Sequence, residues 1–138
     1  MMIGSLLRGS KMADDMGIFR TKVGIESHTA RGVVEFVDEV MVDTGSEFTW
    51  LPASLMESMG IRRERTKRFR MADGSAASRE VGYAIVHAGG AEVSEDVVFA
   101  EPGDMLLLGA RTIEGLNFVV DLVNKQFVPA GPIVAGAV

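Results

Sequence analysis

The residues best placed for chemistry lie where an apolar run ends in an acid. Residues 40–42 (Val-Met-Val) lead directly into Asp43, the first residue of an Asp-Thr-Gly-Ser sequence. An acid at the end of a predicted strand, on a tight glycine turn, suits proton transfer better than it suits packing. A second apolar run, residues 105–108, ends at Gly109 in a matching pattern. We expect the two segments to belong to one site.

The two segments resemble characteristic parts of the aspartic proteases. Residues 42–46 (Val-Asp-Thr-Gly-Ser) resemble the active-site motif, and Trp-Leu-Pro at residues 50–52 extends the similarity to pepsin-like enzymes. Leu-Leu-Gly at residues 107–109 resembles the second segment of the retroviral-type proteases. The resemblance covers residues 17–129. It implies an all-β fold with one or two short helices, namely a closed β-barrel of the acid-protease type.

The same resemblance implies a mechanism and an oligomeric state. Two carboxylates hydrolyse a peptide bond: the ionised one activates water and the protonated one donates to the carbonyl oxygen. Such a close pair shares one proton and titrates as a unit. Because the 138-residue chain has a single Asp-Thr-Gly, it is expected to form a homodimer with one Asp43 from each subunit on a two-fold axis. The mechanism requires no metal and no organic cofactor.

Neighbours of Asp43 receive roles from the resemblance. Gly45 lets the backbone turn sharply, and the Thr44 hydroxyl bonds across to the opposite loop. Ser46 is expected to hydrogen-bond the outer oxygen of Asp43, and Trp50 is expected to pack, with its indole N–H needing a partner. The predicted catalytic residues are therefore Asp43, Thr44, Gly45 and Ser46.

A hairpin that covers the substrate, the flap, is expected near residues 71–76. Its turn is predicted from the Asp-Gly pair within it. The tip departs from the family, because it lacks the Gly-rich sequence of the retroviral enzymes and the Tyr of pepsins; Tyr83 lies further along the chain. The predicted substrate-binding residues are Ala72, Asp73, Gly74 and Ser75.

Most of the remaining chain is predicted to be strand. Residues 33–42 are either a hairpin or one strand with an irregular centre, and helices are predicted at residues 52–59 and 110–114. The apolar tail, residues 130–138, is either a terminal strand that joins the dimer, as the resemblance implies, or disordered. Further strands are predicted at residues 18–25, 69–71, 81–87, 92–100, 106–108, 117–122 and 126–128.

Composition limits the class of protein. At 138 residues and 47% hydrophobic residues, the chain suits one domain at residues 17–138, preceded by a flexible segment, residues 1–16, that is either native or an added remnant. The absence of cysteine excludes disulfides, thiolate zinc sites and cysteine nucleophiles. A net charge of −5 argues against a nucleic-acid partner. No apolar stretch approaches the ~20 residues that span a bilayer, so no membrane partner is expected and a cytoplasmic location is predicted.

One segment departs from this charge balance. Residues 62–68 carry five positive charges in seven positions. We expect a solvated loop or a helix end. The alternative is a site for an acidic partner or substrate.

The leading hypothesis is an aspartic endopeptidase that acts on a peptide or protein substrate as a homodimer. A catalytically inactive protease-like dimer that binds peptides or scaffolds a partner is the alternative, because a fold can be kept while its chemistry is lost. A third possibility, Asp43 as a phosphoryl-accepting nucleophile, ranks low in so short and β-rich a chain. His28 and His87 show no ligand spacing and are expected at the surface or on an edge strand.

Overall fold

The computed structural model describes residues 17–136, so the predicted N-terminal segment, residues 1–16, lies outside the described residues. The division of the chain into that segment and one domain stays a prediction. The described part contains nine strands and two short helices. In chain order they are β1 (Arg20–Glu26), β2 (Val34–Asp43), β3 (Thr49–Pro52), α1 (Ala53–Ser58), β4 (Arg65–Arg70), β5 (Ala76–Ala88), β6 (Ala91–Ala100), β7 (Leu107–Gly109), α2 (Ala110–Gly115), β8 (Phe118–Asp121) and β9 (Gln126–Pro129).

Seven of these strands form one sheet, in the order β1-β2-β7-β3-β6-β5-β4. Because β1 also pairs with β5, six strands close into a barrel and β4 lies outside the ring, on β5. Most pairs are antiparallel, but β2 runs parallel to β7 and β3 runs parallel to β6. The prediction of a mostly-β closed barrel with short helices is confirmed.

β2 has an irregular centre. Thr21 and Val23 of β1 lie opposite Val40 and Val37, so two steps on β1 match three steps on β2. The extra residue falls next to Glu39, whose φ is 60°. Such a bulge bends a strand and increases its twist, which helps a sheet close. Of the two predicted alternatives, one strand with an irregular centre is correct.

The basic segment is part loop and part strand. Residues 62–64 form an exposed loop, as expected, whereas residues 65–70 are β4, which pairs with β5 in a hairpin, so the expectation of a loop or helix end is wrong for residues 65–68. Lys67 and Phe69 are half-buried, whereas Arg68 and Arg70 are exposed. This alternation is the period of a strand with one covered face. Charged side chains on both faces concealed it in the sequence.

The barrel interior holds the main core, to which β7 contributes Leu108 with no exposed surface. β7 lies between β2 and β3 and is therefore a central strand of the sheet. A smaller second cluster lies on the outer side of the sheet, beside the carboxyl end of β2. It consists of Phe48, Trp50, Val81, Val98 and Ala100.

β8 and β9 form a separate two-stranded sheet that packs on the barrel. Phe127 stacks on Phe118 at 5.1 Å and contacts Phe19 of the barrel at 5.0 Å between ring centroids. Residues 130–136 form no strand, so the role of the tail in joining a dimer stays a prediction. Neither helix of residues 17–136 is long enough to cross a bilayer.

Candidate active site

Asp43 lies at the carboxyl end of β2, opposite Gly109 of β7. Its Oδ1 accepts the N–H of Gly45 at 2.9 Å, and its carbonyl oxygen accepts the N–H of Ser46 at 3.1 Å. Its Oδ2 has no hydrogen-bond partner within residues 17–136. The turn therefore holds the carboxylate through one oxygen and leaves the other available.

The loop after Asp43 is held against the end of β7. The N–H of Ala110 donates to the carbonyl oxygen of Ser46 at 2.7 Å. Gly109 lies at this junction, and a Cβ atom there would come within 2.3 Å of the carbonyl oxygen of Phe48. No side chain fits in that space, so the glycine that ends the second apolar run allows the two segments to meet.

A buried pair of threonines stabilises the same junction. The Oγ1 of Thr49 accepts the N–H of Gly109 at 3.0 Å and lies 2.6 Å from the Oγ1 of Thr112. Both threonines have no exposed surface. This pair was not predicted from the sequence, where its one local signal is a threonine between Phe48 and Trp50 in an apolar run.

A cavity of about 510 Å³ opens beside Asp43. Its walls include an aromatic group in which Phe69 meets Phe48 and Trp50 edge to face, with centroids 5.6 and 5.0 Å apart. Leu107 of β7 also lines it. Its volume and apolar lining are those of a site that receives apolar side chains next to a polar group.

Residues 37–114 match the model of a family described as gag-polyprotein putative aspartyl protease. The matched segment is more than half of the 138-residue chain and includes Asp43, the β4–β5 hairpin and Gly109. The chain belongs to this family. The predicted resemblance to the retroviral-type aspartic proteases is confirmed.

Among solved structures, the solution structure of simian foamy virus (mac) protease is similar to this aspartyl protease, with a TM-score of 0.47 and 20% sequence identity. The match covers 69% of this chain and 91% of the viral one. No curated protein matches the chain.

The predicted substrate-binding residues of the aspartyl protease are divided by the cavity. Ala72 lines it, whereas Asp73, Gly74 and Ser75 form the exposed tip of the β4–β5 hairpin and do not line it in the single chain. The tip is a tight turn: Asp73 Oδ1 accepts the hydroxyl and N–H of Ser75 at 2.6 and 2.9 Å, which lowers the pKa of Asp73. The part of this tip in substrate binding stays a prediction.

Residues of β4 form a wall of the cavity that the sequence analysis missed. Residues 67–71 all line it, and Met105 lines it from the loop before β7. The predicted strand at residues 69–71 was too short to reveal this, since the basic residues before it were interpreted as a loop. β4 of the hairpin therefore lines the cavity together with Ala72.

Of the hydrogen bonds predicted for the hydroxyls of Thr44 and Ser46, one stays a prediction and the other is wrong. Thr44 is exposed, and its hydroxyl has no hydrogen-bond partner among residues 17–136, so its predicted bond to an opposite loop is still open. The Ser46 hydroxyl donates to the carbonyl oxygen of Phe48 at 3.0 Å. The expected hydrogen bond from Ser46 to Asp43 is therefore wrong, because that hydroxyl instead closes the turn two residues further on.

One group of described side chains lies close enough together to hold a metal ion. Ligand atoms of Glu26, His87 and Glu92 lie within 4.8 Å of one another, at the opposite end of β1 and β2 from Asp43. Arg31 already contacts both carboxylates, at 2.9 Å and 3.2 Å. The group is therefore explained as a network of ion pairs in which both carboxylates already have a cationic partner. His28 is exposed, as expected, whereas the expectation for His87 is wrong, because His87 is half-buried on β5, which pairs with other strands on both sides.

Proposed function

We propose that this member of the aspartyl protease family is an endopeptidase that works as a homodimer, with one Asp43 from each subunit. The observation that carries the proposal is the position of Asp43: it ends a barrel strand, lies beside a cavity lined in part by aromatic side chains, and keeps one carboxylate oxygen unbonded within the described chain. A single subunit supplies only half of the pair of carboxylates that the chemistry needs.

In the proposed reaction, the ionised Asp43 takes a proton from water as the water attacks the peptide carbonyl. The protonated Asp43 of the partner subunit donates to the carbonyl oxygen, and a tetrahedral intermediate forms without a covalent enzyme adduct. Collapse of that intermediate breaks the C–N bond: the amine leaves with the proton taken from water, and a hydroxyl proton of the intermediate returns to the partner carboxylate as the carbonyl re-forms. Two carboxylates at such close range share one proton and titrate as a unit.

Exposed apolar side chains provide surface for the second subunit. Val123, Ile133 and Val134 are each at least 79% exposed, and Val119 of β8 is 56% exposed. All four lie in the C-terminal region, after α2. Large apolar side chains that are exposed in a single chain can be covered by a partner subunit. These exposed side chains support the proposal that the tail and β8–β9 contribute to the dimer. The exposed hydroxyl of Thr44 supports a contact between subunits near the proposed two-fold axis.

The test replaces Asp43 with Asn and digests a peptide library over a range of pH. We expect cleavage to fall by at least about a thousandfold, because an amide cannot serve as base or share the proton. Sedimentation should still show a dimer. Asp38→Asn is the matched control, since Asp38 is exposed on the same strand.

Two results would contradict the proposal. Cleavage that persists in Asp43→Asn would place the chemistry elsewhere. A wild-type dimer that binds library peptides but cuts none at any pH would be the inactive binding or scaffolding module instead. A cytoplasmic location remains a separate proposal, which fractionation of the producing cells would check.

A further inference from the structure

Cations around β4 fall into two groups. The first group lies outside the cavity, and each member contacts a carboxylate. These ion pairs are Arg62 with Glu64, Arg63 with Glu57, Arg65 with Asp96, and Arg79 with Asp104. Their charges are compensated within the chain.

The second group belongs to the strand that lines the cavity and is here called the cationic wall: Lys67 lies on the covered face of β4, and Arg68 and Arg70 lie on its exposed face. None of the three forms a salt bridge with a carboxylate of residues 17–136. The Nζ of Lys67 lies 5.8 Å from the centroid of the Phe48 ring, and Arg70 donates to the carbonyl oxygen of Gly74 at 2.9 Å. Arg68 is exposed.

This distribution is notable in a chain of net charge −5. Acids are abundant, and the four arginines named above pair with them, yet none of the three cations of the cationic wall forms an ion pair with a carboxylate of the described residues. Apart from Asp43, the cavity has one acid, Glu47, whose Oε2 lies 4.0 Å from Arg111 on α2. The cavity is therefore locally positive beside an apolar floor.

We propose that the cationic wall selects acidic substrates: extended peptide segments with an apolar residue for the aromatic floor and Asp or Glu residues flanking it. The inference rests on the proposed function, since it names the substrate class of that same site. A carboxylate entering the cavity would gain a partner without displacing an existing ion pair, and complementary charge also speeds encounter.

An acidic peptide fits this surface better than a nucleic acid does. The positive charge is confined to one short strand, whereas nucleic-acid binding uses basic surface that follows a phosphate backbone. The wall also adjoins apolar side chains, Phe48 and Leu107, that would contact a peptide side chain. A single-stranded oligonucleotide is therefore included in the test as a competitor.

The experiment uses two fluorescent peptides with the same apolar centre, one flanked by Glu and the other by Gln. Cleavage by the wild-type dimer is measured as kcat/KM, and binding is measured by anisotropy with the Asp43→Asn variant. We expect the Glu peptide to be favoured about tenfold at low salt in both assays. The preference should weaken at high salt, since exposed charges are screened.

Variants then assign the preference to the wall. Lys67→Gln/Arg68→Gln should remove most of it, and Arg68→Gln alone, at an exposed position, should weaken it without affecting the fold. The matched control, Lys22→Gln/Arg62→Gln, removes the same charge from outside the cavity and should keep the full preference. Circular dichroism and sedimentation check each variant.

The outcomes separate the two proposals. Equal kcat/KM for both peptides, or a preference that both wall variants retain, overturns the inference while leaving the protease intact. Tighter binding of the Glu peptide with no cleavage of either one supports the inference and overturns the catalytic proposal. Displacement of the Glu peptide by an oligonucleotide of equal charge at lower concentration than by unlabelled Glu peptide overturns the inference in favour of nucleic acid.

Discussion

Thr49 connects the two apolar segments of the site through one side-chain oxygen. It accepts the N–H of Gly109, the residue opposite Asp43, and contacts Thr112 on α2. None of this arrangement reaches solvent, so every polar group in it depends on its protein partner. The position of the backbone opposite Asp43 is therefore fixed by a hydroxyl that does no chemistry.

Replacing Thr49 with Val should destabilise the fold by about 2 kcal/mol or more, because it leaves the Gly109 N–H and the Thr112 hydroxyl buried without a partner. Thr112→Val should cost less, since the Thr49 oxygen still accepts from Gly109. The double variant should cost less than the sum by about 1 kcal/mol, because no Thr112 hydroxyl is left orphaned. Urea unfolding at fixed protein concentration measures the cycle. Strictly additive effects would show that the two hydroxyls act independently.

Prediction from sequence at this scale succeeds where the signal is local. Gly45 and Gly109 stand out because each follows an apolar run, and at Gly109 the close approach of the Phe48 carbonyl oxygen explains the choice of glycine. The Thr49–Thr112 contact joins residues 63 positions apart. No local pattern encodes it. The Ser46 hydroxyl was misassigned for a related reason, since two acceptors lay within its reach and only the folded turn selects between them.

Among the elements, the contact between β1 and β5 closes the barrel. Three residue pairs form this seam, ending at Glu26 opposite Ile85. The Glu26 side chain is buried there, and its Oε1 lies 2.7 Å from the Nε2 of His87 on β5. Its Oε2 accepts the N–H of Gly32 at 2.6 Å and the Nε of Arg31 at 2.9 Å. The carboxylate thus ties both strands to the β1–β2 connection.

These contacts give stability a specific pH dependence. Hydrogen bonds from Gly32, Arg31 and His87 lower the pKa of Glu26 from 4.5 to about 2. Since folding favours the ionised form, the contribution is complete above pH 4.5 and is lost as pH falls towards 2. We expect the urea midpoint of the wild-type protein to be higher than that of Glu26→Gln at neutral pH. The difference between the two midpoints should decrease as the pH falls from 4.5 towards 2.

Glu35→Gln is the control, because Glu35 is an exposed acid on neighbouring β2. The difference in urea midpoint between wild type and Glu35→Gln should not change over the same pH range. A Glu26→Gln margin that does not change with pH would mean that the charge of Glu26 contributes nothing at the seam.

Elements were predictable in proportion to their hydrophobic pattern. β6 and β7 follow alternating or continuous apolar runs, so their positions were anticipated. The strand predicted at residues 81–87 covers only the apolar second half of β5 (Ala76–Ala88). β4 was not anticipated, because four of its six residues are Lys or Arg, and charge on both faces masks the period. Closure of β1 on β5 could come only from the family resemblance. Strand order depends on contacts between distant segments, and no single segment carries it.

At the level of the whole molecule, the number of carboxylates in each active site determines how many subunits are needed. One described chain offers one Asp43 carboxylate, and the proposed chemistry needs two. Dimerisation is then a condition for activity as well as for assembly, and specific activity should fall on dilution below the dissociation constant of the dimer.

Mixing subunits tests this directly. If each active site needs both carboxylates, wild-type protein exchanged with an equal amount of Asp43→Asn leaves about a quarter of the dimers fully active. Activity per wild-type chain should therefore fall to about half of its unmixed value. Mixing with Asp38→Asn at the same ratio should cause no such fall. Unchanged activity per wild-type chain after exchange would show that one carboxylate is sufficient.

β4 is the last strand of its sheet, and its outer side meets no further strand within residues 17–136. Free backbone donors and acceptors on such an edge invite pairing with another molecule, and lysine and arginine are residues that oppose this by repulsion. The four positive charges of β4 therefore also protect the protein from aggregating edge to edge. A variant in which these charges are neutralised to alter specificity is therefore expected to aggregate more readily than the wild-type protein.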